Sequence, residues 1–109
     1  MCGKVTLKIR SAVVLETGVW RADSHGDRTP ADCAEFQLSK AKALRWLRAA
    51  TVVTQHTWVE TLDWSQCSAS GSLATVDGHH YSWDIEDWGR GLIYISPTLT
   101  WYLSGKTLP

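Results

Sequence analysis

The chain has no charge surplus of either sign: eleven Lys and Arg balance eleven Asp and Glu in 109 residues. A general nucleic-acid binder ordinarily carries a basic excess, so no nucleic-acid partner is expected. It also lacks any hydrophobic run of membrane-spanning length, and no membrane is expected. The N-terminus, MCGKVTLKIR, alternates charged with apolar residues and has no apolar stretch of signal-peptide length. As written, the chain defaults to the cytoplasm, with the periplasm as the alternative if a leader was removed. Cysteine is scarce. Cys2, Cys33 and Cys67 show no C-x-x-C or Cys/His ligand spacing, which argues against structural zinc. Three free thiols suit the cytoplasm. In an exported chain, Cys33 and Cys67 would be the candidates to pair, leaving Cys2 over.

What the sequence has in quantity is tryptophan, seven residues beside three Tyr and one Phe. At roughly 150–250 Å² each, seven indoles could remove well over about 1,000 Å² from water. Core filling therefore explains most of them, while interface anchoring suits one or two. With 44% hydrophobic residues the chain can close a core as one domain, residues 1–109, without disulfides or a metal. The charge balance hides an asymmetry. Residues 1–59 hold nine Lys/Arg against five Asp/Glu, and residues 60–109 hold two against six.

The expected fold class is α+β, a single amphipathic helix packed on an antiparallel β-meander. Val5, Leu7 and Ile9 alternate with polar residues as in a half-buried strand. Ala12 to Leu15 extends it, and Gly18 breaks the run before a short second strand at Val19–Trp20, so N-terminal strands occupy about 4–22. Residues 23–32 are polar, carry Gly and Pro, and read as a loop. Ser39 stands where an N-cap belongs, opening a helix of about 39–51. Its apolar stripe is Ala43, Leu44, Leu47, Ala50 and Thr51, with Lys40, Lys42, Arg45 and Arg48 mostly off it. The β-branched residues from Thr51 end the helix, and His56 to Glu60 reads as a short strand. A meander follows over 68–104. Asp77-Gly78 suits a two-residue type I′ turn, which would set Ala74 against Tyr81, Ser72 against Trp83 and Ser70 against Ile85. That register turns Tyr81, Trp83 and Ile85 toward Leu44 and Leu47. Trp88 to Gly91 forms the next turn. Leu92 to Ile95 reads as a strand covered on both faces, and Leu99, Trp101 and Leu103 alternate in the last one.

Few constellations suggest chemistry. Cys67 with His56, His79 or His80 lacks a nucleophile elbow, since its glycine precedes a strand. His79 and His80, even with His25, Asp27 and Asp84, are poorly placed for one metal, because neighbours on a strand point to opposite faces. Asp84, Glu86 and Asp87 lack the ligand ladder of a calcium loop. Gly89-x-Gly91 falls in a hairpin, where it cradles no phosphate. The basic helix face reads as a solvated face. Trp64, Trp88 and Tyr102 could form an aromatic platform for a sugar. No catalytic residues, metal or cofactor are assigned.

Three segments stand out together: Phe36-x-Leu38-Ser39 entering the helix, Cys67-x-Ala69-Ser70-Gly71 opening the meander, and Gly78 leading to Trp83-x-Ile85. They resemble a loose group of small bacterial proteins associated with toxin–immunity loci, over roughly residues 33–96. The resemblance implies a non-enzymatic immunity protein that binds a protein partner, such as a basic toxin. The stretch of Asp84, Glu86, Asp87, Trp88 and Arg90 is the most interface-like. Its crowded acids would attract a basic partner, and Trp88 would anchor it. The alternative is a small carbohydrate- or ligand-binding domain using exposed tryptophans. Oligomeric state is left open.

Overall fold

In the computed structural model, which describes residues 3–4, 7–22 and 26–108, the α+β expectation holds, with a larger sheet and more helices than expected. The order is β1 (Gly3–Lys4), β2 (Ile9–Trp20), α1 (Pro30–Ala34), α2 (Lys40–Ala49), β3 (Thr51–Val53), α3 (Gln55–Glu60), β4 (Cys67–Thr75), β5 (His80–Glu86), β6 (Arg90–Ser96) and β7 (Leu99–Ser104). The strands form one seven-stranded sheet in the order β1-β3-β7-β6-β5-β4-β2, with antiparallel neighbours throughout. The expected meander is its centre. The chain's first half supplies both flanks, β2 against β4 and β3 against β7.

Four local expectations are corrected. Val5, Thr6 and Cys2 lie outside the described residues; of the strand expected from about residue 4, Lys4 falls in the short β1, Leu7 and Lys8 are in no strand, and the long strand begins at Ile9. Gly18 does not end it. With φ of 63°, Gly18 lets one twelve-residue strand continue through three register shifts against β4. Of the loop expected over 23–32, residues 23–25 lie outside the described residues and 26–29 are in no helix or strand, but 30–32 belong to α1, because Thr29 and Asp32 form a reciprocal capping box with Pro30 at the first helical position. His56 to Glu60 lies in α3, not a strand. Thr54 caps it by accepting the Thr57 amide at 3.1 Å, a local bond that outweighs the weak β signal.

Ser39 caps α2 as expected, and the β-branched residues end it by entering β3 directly. Its buried face is Ala43, Trp46 and Leu47, with Leu44 partly buried. Trp46, unassigned in the expected stripe, has its ring against Gly91 and Gly105, and a β-carbon at either would come within 2.5–2.6 Å of the ring.

The hairpin after β4 is one residue out of the expected register. Gly71 faces Trp83, Leu73 faces Tyr81 and Ala69 faces Ile85. Gly78 has φ of 91° while Asp77 stays at negative φ, so the loop is not type I′. The Gly78 amide donates to Thr75 O at 3.1 Å, and the Thr75 amide to His79 O at 2.9 Å. Three loop residues therefore form a turn followed by a left-handed glycine, the other common hairpin solution. Trp83 and Ile85 are still buried and Ser82 exposed, because alternation along β5 does not depend on what lies opposite. Tyr81 is half-buried beside the same core, which also holds Leu44 and Leu47. The absence of a side chain at Gly71 makes room for the indole. A β-carbon there would lie 1.8 Å from Val13 O and 2.7 Å from the Trp83 ring. β6 is not covered on both faces as expected: Ile93 is buried but Tyr94 is exposed.

Cys33 and Cys67 form a disulfide with a Cα–Cα distance of 4.8 Å, tying α1 to the start of β4. Both are fully buried. The bridge closes a 34-residue separation. Replacing both cysteines with serine is expected to cost about 2–4 kcal/mol, chiefly by freeing the unfolded chain. A urea midpoint unchanged from wild type would contradict it.

Candidate functional site: an ion-pair cluster rimmed by tryptophans

Alternation along β5 puts Asp84 and Glu86 on the face opposite Trp83, and Arg90 opens β6 on that same side. α3 and the loop into β4 close over them. Glu86 and Arg90 are 5% and 3% exposed. Two parallel bonds, Nε to Oε1 at 3.1 Å and Nη2 to Oε2 at 2.8 Å, join them in a planar fork. The Ser65 amide also donates to Glu86 Oε1 at 3.1 Å. The Arg90 guanidinium lies 3.6 Å from the Trp58 ring centroid and 4.1 Å from that of Trp64, wedged between two indoles. Trp58 donates to Gly91 O at 3.0 Å and packs on Tyr102, fixing one side of the wedge.

Asp87 accepts from Arg28 Nη1 at 2.8 Å and from the Ser65 hydroxyl. Arg28 also reaches Ser65 Oγ at 3.0 Å, and its own amide is held by Gln66 Oε1 at 2.8 Å. Asp84 pairs with Arg21. The three acids thus meet three arginines, and two of those come from the basic first half of the chain. The cluster neutralises itself.

Of the five residues expected to bind a partner, only Trp88 is exposed, at 43%. Glu86, Asp87 and Arg90 are buried, and Asp84 is half-buried. The carboxylate crowding expected to attract a basic partner is relieved inside the molecule, so these acids offer no bare negative edge. Around the cluster, Trp20, Trp64 and Trp88 are 37–43% exposed. Trp20 donates to Arg28 O at 2.9 Å, Trp64 to Val59 O at 3.0 Å, and the Arg28 guanidinium lies 4.9 Å from the Trp88 ring centroid. Arg21, Arg28, Ser65, Gln66, Trp20 and Trp58 were not assigned from sequence. The one signal for the arginines was the opposed charge of the two halves. Of the sugar platform expected from Trp64, Trp88 and Tyr102, Trp64 and Trp88 are exposed, and Tyr102 is half-buried against Trp58.

His79 stacks on Tyr81 and sits 3.2 Å from the Asp77 carboxylate. His25 lies outside the described residues, and no metal-binding group of His, Cys, Asp or Glu occurs among the described ones. Nor is any described helix long and apolar enough to cross a membrane.

Burial raises the Asp84 carboxyl pKa above 3.8 despite Arg21, and Glu86 and Glu16 push the same way. A raised folded value means that the native state keeps its proton longer than the unfolded chain. Stability therefore falls as pH rises from the unfolded pKa through the folded one. Asp84→Asn is expected to remove that fall, so its stability relative to wild type should climb with pH across this range. Asp32 and Asp77 have the opposite sign: bonds from Thr29 and Thr75 respectively lower their values, giving stability lost as pH falls. Both are common to the two proteins and cancel in the comparison. Parallel urea-midpoint profiles for the two proteins would refute the Asp84 assignment.

No known protein family, characterised protein or solved structure matches the chain.

Proposed function

We propose that this chain is a non-enzymatic protein-binding domain whose contact surface is the tryptophan rim, Trp20, Trp64 and Trp88, around the ion-pair cluster. The observation that carries the reading is that three indoles stand partly in water while their N–H groups or ring faces are held from within. Tryptophan and arginine dominate interface hot spots, and anchors fixed before binding lose less entropy on association. Glu86, Asp87 and Arg90 support this surface from beneath, and Trp88 makes the contact. An immunity protein that neutralises a toxin by covering it is the specific form of this reading, since it needs a rigid scaffold with anchors and no chemistry. Because the cluster is internally neutral, the partner need carry no basic surplus. Affinity then rests on aromatic burial and depends weakly on salt.

The buried Cys33–Cys67 bridge supports a working place in an oxidising compartment, the periplasm or beyond it, over the cytoplasm.

The experiment is recovery of a protein partner on the immobilised domain, followed by calorimetric titration with single variants. Trp88→Ala is expected to weaken binding by about 2 kcal/mol or more while leaving the urea midpoint nearly unchanged. Wild-type affinity in a Trp20→Ala/Trp64→Ala/Trp88→Ala variant would remove this surface from consideration. Quenching of Trp fluorescence by a simple sugar, lost in Trp88→Ala, would favour the carbohydrate alternative.

A further inference from the structure

The whole chain is neutral, but its charges are not evenly spent. Arg21, Arg28 and Arg90 engage Asp84, Asp87 and Glu86 on one face. No such pairing reaches Lys42, Arg45, Arg48 or Lys106 among the described residues. These four cations line an open groove of about 850 Å³ between α2 and the chain after β7, and no acid lines it among the described residues. Its apolar part is supplied by Trp46, Ala49 and Leu108.

The wall of the groove after β7 is held by bonds that do not involve the side chains of Lys42, Arg45 or Lys106. Trp46 donates its indole N–H to Lys106 O at 2.8 Å, the Gly105 amide donates to Gly89 O at 2.8 Å, and the Leu108 amide donates to Asp87 O at 2.7 Å. These fix the wall formed by residues 105–108. On the other side Arg48 is anchored to Ile9 O at 2.7 Å, leaving Lys42 and Arg45 directed by α2 alone. A preformed cleft with unmatched cations attracts an anion and loses little order on filling.

We infer that this groove docks an acidic, extended segment of a protein, with carboxylates reaching Lys42, Arg45 and Lys106 and an apolar side chain resting on the floor. A nucleic acid fits it less well. Single strands are held by exposed aromatic faces on which bases stack, and Trp46 is buried with its ring against Gly91 and Gly105. The exposed tryptophans belong to the ion-pair cluster.

The test is fluorescence anisotropy with a labelled peptide alternating glutamate with leucine, added to the full chain at low salt. Saturable binding is expected, weakening by about tenfold between about 0.05 and 0.5 M salt as screening shortens the reach of the cations. Lys42→Glu with Arg45→Glu should weaken it by at least about tenfold, since both charges reverse at the groove. Both side chains are exposed, so the fold should persist, checked by an unchanged urea midpoint. Trp88→Ala should bind the peptide as wild type does, which separates this groove from the tryptophan rim. No binding at low salt would overturn the inference, as would equal binding by the charge-reversed variant. Tighter binding of a single-stranded oligonucleotide of the same charge would overturn it in favour of a nucleic-acid site.

Discussion

Glu86→Ala is expected to destabilise the protein by about 3–5 kcal/mol, because it strands a buried guanidinium. Arg90 would keep one bond, from Nη1 to Trp58 O at 3.3 Å, and its two indole neighbours, but lose the carboxylate that matches its charge. The Ser65 amide would lose its acceptor as well. Glu86→Lys should be worse still, since it sets a second cation beside the first. The diagnostic variant is the double replacement Glu86→Leu/Arg90→Met, which removes both charges and keeps apolar bulk between Trp58 and Trp64. It should recover much of the loss, because burying two ions costs about as much as their attraction returns. Denaturant unfolding of the three proteins checks this. A Glu86→Ala midpoint close to wild type would mean that the fork is not formed in solution and that Glu86 is free to meet a partner.

Trp83→Ala should cost about 3–5 kcal/mol. The ring is 1% exposed, faces Gly71 across the β4–β5 pair and donates to Ser72 O at 2.8 Å. Its removal would leave a cavity that the residue opposite, Gly71, has no side chain to fill. Trp88→Ala, in contrast, should stay within about 0.5 kcal/mol of wild type, as surface changes usually do. Similar losses for the two would show that Trp88 is also a core residue, and would weaken its assignment as an anchor.

Local signals in the sequence were enough for several elements. Ser39 marks the start of α2 because a hydroxyl there satisfies an orphan amide whatever lies around it. The buried face of β5 follows from alternation alone, so Trp83 and Ile85 are inside and Ser82 outside even though the strand's partners shifted by one residue. That shift was not legible. Asp-Gly supports two hairpin geometries, and the choice depends on closure by Thr75 and His79. α1 and α3 were legible only through their Thr caps, which short helices reveal less clearly than apolar periodicity reveals long ones.

For the candidate site, the sequence by itself determined the inventory: crowded acids in one half, surplus arginines in the other, and more tryptophan than one small core requires. Only the tertiary structure decided which of these charges are spent. The Arg28–Asp87 and Arg21–Asp84 contacts span 59 and 63 residues, and no periodicity encodes a contact of that range. Charge along a chain records what must be neutralised, while pairing depends on which strands end up adjacent. Here the N-terminal strand and the loop after it return to the meander, so acids that look like an outward face are consumed within the fold. The cations of α2, which look like an ordinary solvated face, remain unmatched along a groove.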